Sequence, residues 1–270
     1  MKIKIGITGS TGSLGKTLSS TKSKFQYVFF KSDIRNKNKV FQWINNNNFY
    51  AVIHLAAIVP IKAVNKNKKK AYDINYLGTK NVVDAVINSG IKWFFFSSTS
   101  HVYKSSKKKI SENSIKKPIS YYGKTKLLAE KYIIKKFGKT KKKYCIGRIF
   151  STSNINQKKN YLVPDLIFKI KKSRKEITLK NLNHYRDFIS MKEISKIILK
   201  LCNRQFVGII NIGRGKGILL KDIAKLLCKK FKKKYTFIDN KKITYLIANN
   251  KRLKKFTTLE NITNLEKLIF

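Results

Sequence analysis

The feature that most constrains this chain is a glycine loop in a defined setting. Lys2–Thr8 reads as a short apolar strand, and it runs directly into Thr8-Gly9-Ser10-Thr11-Gly12-Ser13-Leu14-Gly15, which opens a helix. A strand, a glycine-spaced loop and a helix in immediate succession are the start of a dinucleotide-binding βαβ unit. Gly9 suits the tight turn, Gly12 the approach of a pyrophosphate to the backbone, and Gly15 the packing of helix on strand. The helix start adds free N–H groups and the positive end of its dipole. A plain Gly/Ser turn is the simpler alternative. A P-loop fits less well, because the first glycine of that pattern has to stand where Ser10 stands.

The rest of the first half keeps the same rhythm. Strands are expected at Gln26–Phe30, Tyr50–Ala56, Ile91–Phe96 and Lys143–Ile149. Helices are expected at Lys37–Asn46, Ala71–Asn88 and Tyr121–Phe137, the last two closed by Gly90 and Gly138. Strand and helix in alternation argue an α/β fold, a Rossmann-type doubly wound parallel sheet covered on both faces. After about residue 150 the rhythm loosens. Helices are expected at Leu162–Ile170, Met191–Cys202 and Leu219–Phe231, and strands near Ile177–Leu179 and at Val207–Ile212, before a mixed basic tail from Tyr235. The division expected is a dinucleotide-binding domain over 1–150 and a smaller substrate-binding α/β part over 151–270, interleaved with the first.

Composition enters as a test of partners. Lys and Arg number 61 against 13 Asp and Glu, a formal net charge of +48. Such a surface attracts nucleic acid or anionic lipid. Yet only seven of the 61 are Arg, the residue suited to bidentate phosphate and base contacts, and the lysines run along the whole chain. Drift in an AT-rich genome explains that pattern better, with steering of an anionic substrate as a by-product. No specific nucleic-acid partner is expected. No apolar run reaches the ~18 residues of a membrane span, and the start lacks the apolar stretch of a signal peptide, so a cytoplasmic protein is expected. Cys145, Cys202 and Cys228 share no metal or redox spacing and read as reduced, buried thiols; no metal is expected.

Two further patterns carry chemistry. Tyr122 and Lys126 stand four apart near the start of a helix and so share one face. A tyrosine with an ordinary pKa of ~10 needs a shift of about three units to exchange protons near neutrality, and an ammonium one turn away lowers it. Such a pair arises easily by chance among 13 tyrosines and many lysines. Thr99, at the end of the fourth strand, is placed to hold a substrate oxygen while Tyr122 moves its proton, with Ser98 as a nearby substitute; a plain Ser/Thr loop is the alternative.

Together these residues resemble the extended short-chain dehydrogenase/reductase family, also called the NAD-dependent epimerase/dehydratase family, which acts on nucleotide sugars. The resemblance is carried by the glycine loop, Asp33-Ile34-Arg35-Asn36, His54-Leu55-Ala56-Ala57, Asn75-Tyr76-Leu77-Gly78-Thr79 and Ser98-Thr99-Ser100-His101-Val102-Tyr103. It continues in Tyr122–Lys126, Arg186-Asp187-Phe188 and Asn211-Ile212-Gly213, in the family's order. It implies a catalytic trio of Thr99, Tyr122 and Lys126. It implies an NAD or NADP site formed by Gly9, Thr11, Gly12, Ser13, Leu14, Gly15, Lys31, Asp33, Ile34, Leu55, Ala56, Ala57, Asn75, Ser97 and Ser98, with Tyr122 and Lys126. It implies contact with a nucleotide-sugar substrate from Thr99, Ser151 and Arg186, the guanidinium holding the diphosphate. An ordinary ion pair of Arg186 with Asp187 is the competing explanation. Assembly as a homodimer through the helices at 71–89 and 121–137 is also implied.

The departures from the family pattern narrow the expected activity. Lys31-Ser32 replace the acidic residue that an NAD ribose calls for, which leans toward tolerance of NADP. Ser100-His101 stand where dehydratase members carry Asp-Glu, which speaks against 4,6-dehydration. Ser151 stands where the sugar 4-epimerases carry a substrate-binding Asn. The expectation leans to a 4-keto-sugar reductase, with a nucleotide-sugar 4-epimerase as the alternative. A non-catalytic dinucleotide-binding sensor and a basic nucleic-acid binder remain as other classes.

Overall fold

The computed structural model describes residues 3–59, 61–153, 157, 161–240 and 242–260. Lys2, where the first strand is expected to begin, and the end of the tail at 261–270 lie outside them.

In chain order the first half contains β1 (Ile3–Thr8), α1 (Ser13–Ser19), β2 (Phe25–Phe30), α2 (Lys37–Asn45), β3 (Ala51–His54), α3 (Ile61–Lys66), α4 (Lys68–Tyr72), α5 (Thr79–Ile87), β4 (Trp93–Thr99), α6 (Tyr121–Phe137) and β5 (Lys143–Ile149). The second half adds β6 (Ser151–Ser153), α7 (Leu162–Lys172), β7 (Glu176–Lys180), β8 (His184–Arg186), β9 (Phe188–Ser190), α8 (Met191–Asn203), β10 (Gly208–Ile212), β11 (Ile218–Leu219), α9 (Leu220–Lys230), β12 (Lys234–Ile238), β13 (Thr244–Leu246) and α10 (Lys251–Lys254).

The main sheet runs β2-β1-β3-β4-β5-β10, every neighbouring pair parallel. Burial on both faces explains why its strands read as apolar runs. In β4 the alternation is direct. Trp93 and Phe95 join one core with Ile5, Ile7, Leu18 of α1 and the apolar stripe of α8. Phe94 and Phe96 join the opposite core with Val40 of α2, Val82 and Val86 of α5, and Ala129 and Ile133 of α6. The sheet is therefore the middle of three layers, the doubly wound architecture. The second half completes this sheet with β10 and its first core with α8. It also builds a smaller α/β unit in which α7 and α9 bury Leu166, Ile170, Ile223 and Leu227 against Leu179. Cys145, Cys202 and Cys228 are free and buried in these cores.

The helix expected over 71–88 begins earlier and is not uniform. The Asn67 side chain accepts from the Lys70 N–H at 2.8 Å and caps α4. Residues Asp73–Gly78 then form a π-helical turn before α5. The widened turn points Asn75 into the molecule, where it is fully buried. Turns of this kind recur beside functional sites.

Candidate active site

Strand order reverses between β1 and β3, since β2 lies on one side of β1 and β3 to β5 on the other. A crevice opens at such a switch point, beyond the carboxyl ends of the strands. The glycine loop leaves β1 there, and Leu55–Ala57 leave β3. The two loops touch backbone to backbone: Gly9 has φ +78°, and a Cβ on it would lie 2.5 Å from the Ala56 nitrogen. A Cβ on Gly15 would lie 2.2 Å from the Gly9 oxygen, so α1 can sit this close only with glycine there. Gly12 and Thr11 are exposed, with Ser13 and Leu14 half-buried behind them. No acidic side chain lies in the first turn of α1 and no side chain caps it. The amides of Ser13, Leu14 and Gly15 find no acceptor among the described residues. This cradle fits a pyrophosphate.

At its far end the crevice is basic. Lys31 follows β2 and is exposed. Asp33 is exposed too, but its carboxylate is held by the Arg35 guanidinium at 2.6 Å, which also lowers its pKa. Ile34 is buried, directly under Gly78.

Thr99 ends β4, and Tyr122 and Lys126 project from the first turns of α6 toward it. All three are nearly buried. Ser120 caps α6 by accepting from the Gly123 N–H at 3.1 Å. Gly123 brings the helix down: a Cβ there would lie 2.3 Å from the His101 oxygen, in the turn that follows Thr99. Burial raises the Tyr122 pKa above its ordinary value, and the adjacent Thr99 side chain opposes the rise. Burial also lowers Lys126 to about 7, with Glu130 acting against it. Its ammonium lies 4.0 Å from the centre of the Phe96 ring and has no hydrogen-bond acceptor among the described residues. The downward pull of Lys126 on Tyr122 expected from spacing is not the dominant effect. Desolvation of both side chains outweighs it, and the phenol stays protonated.

The side chains of two of the expected cofactor residues face inward. Ser98 lies on the α6 side of β4, where alternation puts it, and donates to Glu130. Asn75 accepts from the Ile58 N–H at 2.8 Å and donates to the Ile58 oxygen at 3.0 Å. Both hold the crevice from behind, whereas Ser97 on the other side of β4 is half-buried.

A hydrogen-bonded series joins the end of β1 to the start of α6. Thr79 donates to the Asn75 oxygen, so its own oxygen accepts from His54 Nε2 at 2.9 Å. His54 Nδ1 then accepts from the Thr8 hydroxyl at 2.6 Å. Asn75 Nδ2 donates to Thr125, and Thr125 donates to the backbone carbonyl of Tyr122 at 2.8 Å. His54 is fully buried and its pKa falls to about 3, so it stays neutral in this role.

Beneath the trio lies an ion pair that sequence reasoning missed. Glu130 accepts from Arg148 Nε at 3.0 Å and Nη2 at 2.7 Å, both side chains 1% exposed. Arg148 also donates to the Tyr103 hydroxyl and to the backbone carbonyl of Glu112. The available signal was Glu130 four residues beyond Lys126, one of few acids in a basic chain.

Arg186 does not pair with Asp187. Asp187 is fully buried and accepts from the N–H groups of Arg214, Gly215 and Ala248. Arg186 turns away from it, donates to Tyr185 and Thr244, and has no carboxylate partner among the described residues. Burial lowers its pKa to about 10, so it remains charged. Ser151 is half-buried on β6, the strand after β5. A separate cavity of 720 Å³ lies at the opposite edge of the sheet, lined by Asn45–Asn48 and Asn88, and holds no titratable side chain.

A family model described as GDP-mannose 4,6 dehydratase matches residues 7–263. A GDP-6-deoxy-D-talose 4-dehydrogenase of Aggregatibacter actinomycetemcomitans is 29% identical over 240 residues, covering 84% of this chain and 79% of the relative. Among solved structures, RMD from Pseudomonas aeruginosa complexed with NADPH has a TM-score of 0.87 at 18% identity, over 98% of this chain and 96% of that one. MoeE5 in complex with UDP-glucuronic acid and NAD has a TM-score of 0.85 at 17% identity, over 98% and 96%. The two structural likenesses show the fold.

Proposed function

We propose that this chain, which belongs to the GDP-mannose 4,6 dehydratase family, is an NAD(P)-dependent oxidoreductase acting at C4 of a nucleotide-linked hexose, in the sense of a 4-keto-sugar reductase. The observation that carries the reading is a buried, protonated phenol beside Thr99, with the unspent ammonium of Lys126 one turn on, at the mouth of a glycine cradle. The relative named for oxidation of GDP-6-deoxy-D-talose at C4 supports the same chemistry read in reverse.

Held on the glycine loop, a nicotinamide cofactor would supply the hydride chemistry at C4. Tyr122 delivers its proton to the C4 oxygen, and the high proton affinity that burial confers keeps it loaded as an acid. Thr99 donates a hydrogen bond to the same oxygen and fixes its distance from the phenol. Lys126 would donate to the ribose of that cofactor, and its protonated form places positive charge beneath the phenolate left after transfer. Arg186 holds the substrate diphosphate; its guanidinium is charged and owes nothing to a protein carboxylate. Lys31, exposed at the adenosine end, suits a 2′-phosphate, so NADPH is taken at least as well as NADH.

The trio also serves a 4-epimerase. Ser151, in place of the substrate-binding Asn that the family resemblance implies for epimerases, supports the reductase. Ser100 and His101, in place of paired carboxylates, speak against dehydration. Exposed Leu77 and Leu128, on the helical segments around α5 and α6, support a homodimer through that face, which light scattering tests as a doubled mass.

The test is titration with NADPH and NADH followed by nicotinamide fluorescence, then incubation with GDP-6-deoxy-D-talose and a panel of nucleotide sugars and their 4-keto-6-deoxy forms. Saturable binding, with product formed only from a 4-keto or 4-hydroxy sugar, is expected. Absence of any fluorescence response removes the cofactor and with it the reading.

A further inference from the structure

His101 is the side chain at this site to which the chemistry above gives no work. Its backbone N–H donates to Thr99 Oγ1 at 3.2 Å, and Gly123 presses against its carbonyl, so its position is fixed from both sides. The ring stands edge-on to that of Tyr122, with centroids 6.0 Å apart and planes at 65°. It is half-buried, and neither ring nitrogen finds a hydrogen-bond partner among the described residues. Burial lowers its pKa to about 4, and the positive charge of Arg186 adds to the fall. The ring is therefore neutral, with one N–H donor and one acceptor nitrogen. It stands near Tyr122, assigned to the oxygen at C4, and within the field of Arg186, assigned to the diphosphate on C1. An imidazole with so low a proton affinity is a poor base, but it is a good partner for a hydroxyl.

We propose that His101 is a specificity-determining residue that hydrogen-bonds the hydroxyl on C2 or C3 of the substrate hexose. The inference rests on the reading of Tyr122 and Arg186 given above. It makes the site select sugars that carry that hydroxyl, because an analogue without it leaves a buried polar group unpaired.

The test compares wild type, His101→Phe, His101→Asn and Tyr122→Phe in oxidation of GDP-6-deoxy-D-talose and of its 2-deoxy and 3-deoxy analogues. His101→Phe keeps the edge contact with Tyr122 and loses both nitrogens. It should lower kcat/KM on the parent about 10-fold, the worth of one hydrogen bond, and leave NADPH affinity unchanged. On one of the two deoxy analogues it should equal wild type, and His101→Asn should recover part of the loss on the parent. Unchanged kcat/KM on the parent, or the same loss on both analogues, overturns the proposal. If Tyr122→Phe abolishes turnover while His101→Phe does not change it, only this proposal fails. If wild type turns over no such sugar, or Tyr122→Phe retains full turnover, the underlying reading fails and this proposal with it.

Discussion

Tyr122 holds its proton because it is dry, and this reverses the downward shift that a neighbouring lysine would give. Burial lifts the phenol and lowers Lys126 to about 7 together. Tyr122→Phe should therefore cost about 10² to 10⁴ in kcat with cofactor affinity intact, checked by steady-state kinetics beside fluorescence titration. Lys126 makes a separate prediction about stability. Its folded pKa lies below its ordinary value of 10.5, so the unfolded chain binds more protons between about 7 and 10.5. Stability should then rise with pH across that window. Lys126→Met should lose turnover and melt above wild type at pH 7, and thermal melts should show the gap closing as pH approaches 10. A constant gap means that the ammonium is not desolvated.

At the scale of elements, the site depends on how closely α6 approaches β4. Gly123→Ala puts a methyl within 2.3 Å of the His101 oxygen. The helix has to move, and both melting temperature and turnover should fall, whereas Gly90→Ala, with open space around it, should change neither. Glu130→Gln should destabilise by about 3–5 kcal/mol in denaturant melts, since it leaves the Arg148 guanidinium buried without a counter-charge. Loss below 1 kcal/mol would mean that water reaches the pair. Much at this scale could be read in the residues themselves. Alternating Trp93, Phe94, Phe95 and Phe96 announced a strand buried on both faces, and the run into Gly9 announced the cradle. The π turn at Asp73–Gly78 could not be read, because the backbone of Ile58, distant in sequence, is what draws Asn75 inward. The series from Thr8 to Tyr122 was hidden for the same reason: its partners lie 46, 25 and 50 residues apart. A motif places Asn75 and Ser98 in the chain but not their side chains in space; turn geometry and strand alternation decide which way each faces.

For the molecule as a whole, +48 is a load on a domain of 270 residues. Self-repulsion opposes the compact state and is screened by salt, so the melting temperature should rise when NaCl is raised from about 20 to about 500 mM, a range over which the Debye length falls several-fold. A flat profile would show that the lysines are already neutralised. The same charge should speed capture of an anionic nucleotide sugar at low salt. The three-layer architecture followed from strand–helix alternation, while the return of β10 to the sheet and α8 to its core depends on long-range pairing that local pattern does not encode. The central claim is that the crevice between β1 and β3 brings a nicotinamide over Thr99, Tyr122 and Lys126 for hydride exchange at C4. Its most direct measurement is mass spectrometry of the cofactor after incubation of the protein with NADP⁺ or NAD⁺ and GDP-6-deoxy-D-talose deuterated at C4. The account predicts one deuterium on the reduced nicotinamide with wild type, formed about 10² to 10⁴ times more slowly with Tyr122→Phe. Sugar turnover with no deuterium ever reaching the cofactor would contradict it.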